Sequence, residues 1–189
     1  MPIIRSTKTG RKLVFSSGSP EGSANSTYLS RSKISGRMLY FKGVAVIVKD
    51  TYAYRNYPDR VHGNGPFVMI WWEDGISKAE GYIGDLPKEK KLNVYIEGVS
   101  YNSDEGPIGI YEVSNSWGEM TLTWNNRPAH GGLIEELPTP SEHTWWKIST
   151  GTTGAIHMIV KGVPGTLVYF VFSSMQDASP ERRPYITDT

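Results

Sequence analysis

With 189 residues, 38% hydrophobic, 12% aromatic and 21% charged, the chain is long enough to bury one sizeable core and has the composition of an ordinary globular domain. It has no cysteine, which removes disulfides, thiolate metal sites and a cysteine nucleophile. The net charge of +1 conceals a split: eight basic residues against Glu21 in the first 45 give +7, leaving 12 basic and 18 acidic residues, or −6, in the remainder.

The N-terminal "MPIIRSTKTGRKLVF" lacks the apolar stretch of a secretory signal peptide, so export by that route is not expected. No apolar run approaches the roughly 20 residues that span a bilayer. Within this region "KLVF" reads as a short strand, and "SSGSPEGSANST" (16–27) is a polar Gly/Ser linker. The basic residues Arg5, Lys8, Arg11, Lys12, Arg31, Lys33 and Arg37 form an arm suited to docking on an acidic surface or a second copy. They are spread among Ser and Gly without interleaved aromatics, so nucleic-acid binding is not expected.

"RMLYFKGVAVIVK" (37–49) is β-branched and interrupted by Gly43, which reads as two strands or one bent strand. Further along, "PFVMIWW", "KLNVYIEGV", "IGIYEV", "EMTLTW", "TWWKIS", "AIHMIV" and "TLVYFVFS" recur between turn residues. Leu92, Val94 and Ile96 alternate with polar neighbours, and so do Met120, Leu122 and Trp124, the period of a half-buried strand. Only "AIHMIV" leaves a helical alternative open. Short strands at this spacing predict an all-β fold, an antiparallel β-sandwich or jelly roll, over residues 46–189, with residues 1–45 as an extended basic N-terminal arm.

Catalytic patterns are absent from the sequence. Four histidines accompany no Gly-x-Ser-x-Gly elbow and no His-Glu-x-x-His pair, and there is no phosphate-binding glycine loop. His157, inside an apolar run, reads as a satisfied core residue, and Glu135-Glu136 as a solvated pair on a loop. The expectation is therefore a protein that is not an enzyme. Calcium is the one cofactor the acids suggest, through Asp59, Asn64, Glu73 and Asp74 on two loops.

From about residue 46 the chain resembles the DNRLRE domain, or disaggregatase-related repeat, a family of β-sandwich modules similar to carbohydrate-binding modules. The residues that carry this are "KDTYAYRNYPDRVHGNG", "GYIGDLP", "KLNVYIEGV", the phrase Ser116–Glu119, "TWNNRP" at 123–128 and the closing "RRPYI". Gly84 departs from the aromatic expected in "GYIGDLP". The resemblance implies a non-catalytic module of cell-surface, secreted or particle-associated proteins, some of which bind polysaccharide. It assigns no ligand-binding residue here.

Trp117, Trp124, Asn125, Asn126 and Pro128, with Arg183 and Pro184 near the end, read as a structural motif, the asparagines tying a turn. In a strand, neighbouring residues face opposite sides, so each Trp-Trp pair should send one indole outward. Trp72 and Trp146, with Tyr54 and Tyr57, are the expected carbohydrate contacts. Two functions follow. The first is a structural or decoration protein of a virus or phage particle, or of another surface assembly, whose arm binds other protein subunits. The alternative is the carbohydrate-binding module of a cell-surface or secreted protein, with polysaccharide as partner.

Overall fold

A computed structural model of the chain describes residues 49–100, 106–161 and 165–187, together with the backbone of six short strands before them. These six pair as ribbons: β1 (Ile3–Arg5) with β2 (Lys12–Val14), β3 (Ser26–Thr27) with β6 (Val44–Ala45), and β4 (Arg31–Ile34) with β5 (Arg37–Tyr40). The side chains of the basic arm, Arg5 to Arg37, lie outside the described residues.

The body is built from β7 (Lys49–Tyr54), β8 (Phe67–Glu73), β9 (Ile76–Gly84), β10 (Lys91–Val99) and β11 (Ile108–Val113). It continues with β12 (His130–Leu137), β13 (Trp145–Ser149), β14 (Ile156–Val160), β15 (Leu167–Ser173) and β16 (Tyr185–Thr187). All pairings are antiparallel, and one curled sheet runs β12-β11-β14-β9-β8-β15-β10-β13, with β7 on β9 and β16 on β10. Strand β9 turns the corner. Ala79 pairs with Trp71 of β8, whereas Gly81, Tyr82 and Ile83 pair with β14 on that same edge. One half of the sheet is thus β7-β9-β14-β11-β12 and the other β8-β15-β10-β13, and they face each other as a β-sandwich.

The space between them is filled from both halves. Ile83, Ile108, Ile110, Ile156 and Met158 meet Val68, Ile70, Leu92, Val94, Ile96, Val168, Phe170 and Phe172, all inaccessible to solvent. This alternation along paired strands is what the period-2 pattern of "KLNVYIEGV" predicts.

A second apolar layer forms on the outer face of the first half. Ala53, Tyr82, Val113 and Ala155 point away from the main core and are covered by Trp117, Leu122 and the half-buried Trp124. The cover is segment 114–129, which is a chain of turns and not the strand expected for "EMTLTW". Leu122 is buried, but Met120 is 53% exposed, because the backbone turns at Gly118, whose carbonyl accepts the N–H groups of Thr121 and Leu122.

Three other local points follow, of which only the placing of Glu135 and Glu136 overturns an expectation. "AIHMIV" is strand β14, held on both edges by β9 and β11. Glu135 and Glu136 lie on the edge strand β12 rather than on a loop; Glu135 bonds the Ser149 N–H and faces Lys91 at 3.7 Å, and Glu136 pairs with Lys161. The segment Ile76–Gly84 forms a nine-residue strand, although only its end was legible.

Phe170 lies at the centre, edge-on to Trp146 with ring centroids 5.5 Å apart. Truncating such a ring removes its transfer free energy and leaves a cavity. Phe170→Ala is expected to cost about 3–5 kcal/mol, read as a lowered urea midpoint with an unchanged slope.

Candidate functional site

The register decides which indole of each pair faces out. Trp146 is opposite Val94 and Trp72 opposite Val168, both core residues; Trp145 is opposite Tyr95 and Trp71 opposite Tyr169. Directly paired residues share a face. Trp146 is therefore buried, against the expectation, and Trp145 is the exposed member, 37% accessible. Trp71 and Trp72 are both half-buried, but it is Trp71 that joins other aromatics on the outer surface.

Those aromatics form a row. Tyr57, 55% exposed, meets Tyr54 edge-on at 5.5 Å; Tyr54 stacks on Trp71 at 5.9 Å; Trp71 meets Tyr169 edge-on at 5.9 Å. Beside it His62 stacks on Tyr52 at 4.2 Å, and Tyr52 on Phe67 at 6.1 Å. A depression of about 330 Å³ opens here, lined by Tyr52, Arg60, His62, Asn64 and Met120 among others. Burial, reinforced by the nearby Arg60 charge, pushes the His62 imidazole down, so it stays neutral. Tyr54, Tyr57 and one indole of the Trp71-Trp72 pair were expected at this site, though the indole expected was Trp72 and the one found is Trp71; Arg60, His62, Tyr169 and Met120 were not expected. The spacing along the chain gives no hint of the set, because three strands, the β7–β8 loop and the 114–129 segment bring it together.

A second, smaller aromatic group lies on the half that contains β10 and β13. Trp145 meets Tyr95 at 5.4 Å and Tyr185 at 4.7 Å, and Arg182 lies 5.4 Å from the Tyr95 ring while paired with Glu97 at 3.0 Å.

The loop that carries Tyr57, Arg60 and His62 is fixed by the motif residues. Asn125 donates its backbone N–H to Pro58 O at 3.1 Å and its amide to Asp59 at 2.8 Å. Asn126 closes its own turn, accepting Thr123 N–H at 2.7 Å and donating to Thr121 O at 2.7 Å. Arg183 donates to Asp177 O at 2.9 Å, and Pro184 is buried. Gly63 has no room for a side chain, since a Cβ there would stand 2.2 Å from Glu119 O. Of the residues expected to take calcium, Asp59 is committed to Asn125, Asn64 is exposed at the depression, and Glu73 and Asp74 sit at the β8–β9 turn. Among the described residues, no three His, Asp or Glu side chains converge as a metal centre.

Beneath the motif lies a buried polar cluster. One oxygen of Glu80 accepts from Arg127 Nε at 3.0 Å, His157 Nε2 at 2.9 Å and the Tyr82 hydroxyl at 3.3 Å. Arg127 also covers the Trp124 ring at 3.6 Å. Burial pushes the His157 imidazole down, keeping it neutral with its proton on the nitrogen that faces Glu80. Burial alone would raise the Glu80 carboxyl, but the hydrogen bond from neutral His157, with the Arg127 charge and the Ser77 hydroxyl, holds it well below the usual carboxylate range. The bonds of this group are internal to the fold, and they anchor Arg127.

Together these features define a β-sandwich binding module with an aromatic surface beside a shallow polar depression. Residues 47–152 match carbohydrate-binding module family 96. The match covers more than half of the 189 residues, and the chain belongs to that family of non-catalytic binding modules. The DNRLRE resemblance is upheld at the level of a carbohydrate-binding-type module; the family that matches is family 96. The carbohydrate alternative gains support from this match, and no feature of the fold or the match supports decoration of a virus particle. No curated protein matches the chain. No helix among the described residues is long and apolar enough to cross a membrane.

Both His157 and Glu80 have folded-state values below their unfolded ones. Each therefore contributes stability that is present at neutral pH and lost on acidification. Urea midpoints are expected to fall as pH drops from about 6.5 toward about 2. Glu80→Gln should lower stability at neutral pH by about 3–5 kcal/mol, by leaving Arg127 poorly paired, and should flatten the acid limb of that profile.

Proposed function

We propose that this chain binds polysaccharide, outside the cell or at a surface, through the row Tyr57–Tyr54–Trp71–Tyr169 and the adjoining depression. The row itself carries this reading: four aromatic side chains run side by side along one face of a member of a carbohydrate-binding family. The apolar faces of sugar rings pack on aromatic rings, while sugar hydroxyls need donors and acceptors close by. Arg60 and Asn64 at the rim offer those groups, and neutral His62 adds an imidazole that carries no charge to desolvate. The DNRLRE-like phrases support the same class of module, with the motif acting on the fold and the aromatic loop acting on the ligand.

The test is retention on a panel of insoluble and soluble polysaccharides, followed by calorimetry on whichever glycan is held. Tyr57→Ala is expected to weaken binding by about 2 kcal/mol, roughly thirtyfold, without altering thermal unfolding, since the side chain is mostly exposed. Trp145→Ala should leave affinity unchanged. Loss through Trp145→Ala with Tyr57→Ala silent would move the site to the Trp145–Tyr95–Tyr185 group, and no retention on any glycan would count against the reading.

A further inference from the structure

We propose that Met120 is the apolar wall of the depression and its oxidation-sensitive point: transfer of an oxygen atom from a peroxide to its sulfur weakens glycan binding and leaves the fold intact. The coupling to binding rests on the polysaccharide reading of this surface. Met120 is 53% exposed and lines the depression with Tyr52, Arg60, Val61, His62 and Asn64. Four other large apolar side chains stay exposed among the described residues, Tyr57, Ile76, Leu133 and Trp145, and none of them lines it. The backbone holds Met120 in this place. Gly118 O accepts the N–H groups of Thr121 at 3.1 Å and Leu122 at 2.9 Å, and the Glu119 carboxylate takes the Gln176 amide at 2.7 Å. Leu122, 1% exposed, fills the layer beneath, so rolling Met120 inward would bring Leu122 out.

A thioether is apolar and polarizable and packs well against rings. Beside the stacked Tyr52 and His62 it gives the depression an apolar side, while Arg60 and Asn64 supply polar groups. Its exposure also makes it the accessible sulfur. Met158 is inaccessible to solvent, and Met69 and Met175 are half-buried against the main core. With hydrogen peroxide the sulfur lone pair attacks one peroxide oxygen. The S–O bond forms as the O–O bond breaks, and after a proton shift the other oxygen leaves as water; sulfur is oxidised and the peroxide reduced. The product is a polar, chiral sulfoxide. It removes an apolar contact for a sugar ring, and its oxygen, a hydrogen-bond acceptor, competes with sugar hydroxyls for the Arg60 guanidinium. Because the Met120 side chain stands outside both core layers, the change stays at the site.

The full chain is treated with graded hydrogen peroxide and its methionines are followed by peptide mapping and mass spectrometry. Met120 sulfoxide is expected to form ahead of the sulfoxides of Met69, Met158 and Met175. Protein oxidised at Met120 should melt within about 1 °C of untreated protein. It should bind at least about fivefold more weakly to whichever of cellulose, chitin, xylan and pectin retains the untreated chain. Methionine sulfoxide reductases for both epimers should restore that affinity. In Met120→Leu, treated and untreated protein should bind alike, whereas Met69→Leu should keep the full peroxide response. Reaction of Met120 no faster than that of the buried methionines overturns the proposal. So does unchanged binding after Met120 is oxidised, a peroxide response that persists in Met120→Leu, or a Tm lowered by several degrees. If a glycan retains untreated protein and oxidation is silent, this proposal fails and the polysaccharide reading stands; if no glycan retains it, both fail.

Discussion

Glu80 is a carboxylate in the middle of a strand on a face that the fold buries. A charge in that position must be matched from nearby, because the low-dielectric interior makes an unmatched one far more costly than an exposed one. Tyr82 and His157 come from the same sheet and supply neutral donors, but the compensating charge is Arg127, 47 residues further along the chain. Bringing Arg127 to Glu80 forces the segment before it to lie across the sheet. That crossing lays Trp117, Leu122 and Trp124 on Tyr82, Ala53, Val113 and Ala155. One ion pair thus determines that this half of the sandwich is buried on both faces.

The same crossing fixes the aromatic surface. Once the segment is in place, Asn125 holds Pro58 and Asp59, and Glu119 leaves Gly63 space only for a hydrogen. From the other side, Ser174 bonds Gly65 O at 2.7 Å and donates its N–H to Pro66 O at 3.1 Å. The loop between β7 and β8 is therefore tied at both ends and in the middle. Residues held this way spend little conformational entropy on binding, which is what a shallow site with few polar contacts requires.

How much of this the sequence reveals depends on which forces are local. The period of two in Leu92, Val94 and Ile96 is local, and the strand it predicts is β10. Alternation also says that the two indoles of a Trp-Trp pair part company, yet it cannot say which goes in. That phase is set by Val94 and Val168 on the neighbouring strands, 52 and 96 positions away from Trp146 and Trp72. The apparent strand "EMTLTW" misleads because Leu122 alone needs burial, while Gly118 lets the backbone turn and leaves Met120 outside. Strand β12 is hidden for the opposite reason: Gly131, Gly132 and the paired glutamates look like a loop, although an edge strand tolerates them. The aromatic row is the least legible feature, since its members come from three strands and a loop that only the finished fold brings together.

The stretch "SNSWGEMTLTWNNRP" looks like a ligand platform because it concentrates tryptophan and asparagine, yet its side chains are mostly spent internally. Trp117 is buried, Trp124 is covered by Arg127, and both asparagines are bonded to the backbone or to Asp59. Such a segment cannot be varied without releasing Arg127 from Glu80 and the loop from Asn125. Tyr57, Arg60 and Asn64 are under less constraint, because they are exposed, and the contacts of Tyr57 with Tyr54 and Arg60 lie at the surface. A fold arranged this way can change its ligand by altering loop side chains while keeping the motif. Its recognisable residues therefore report the scaffold, and its binding residues have to be found from the surface.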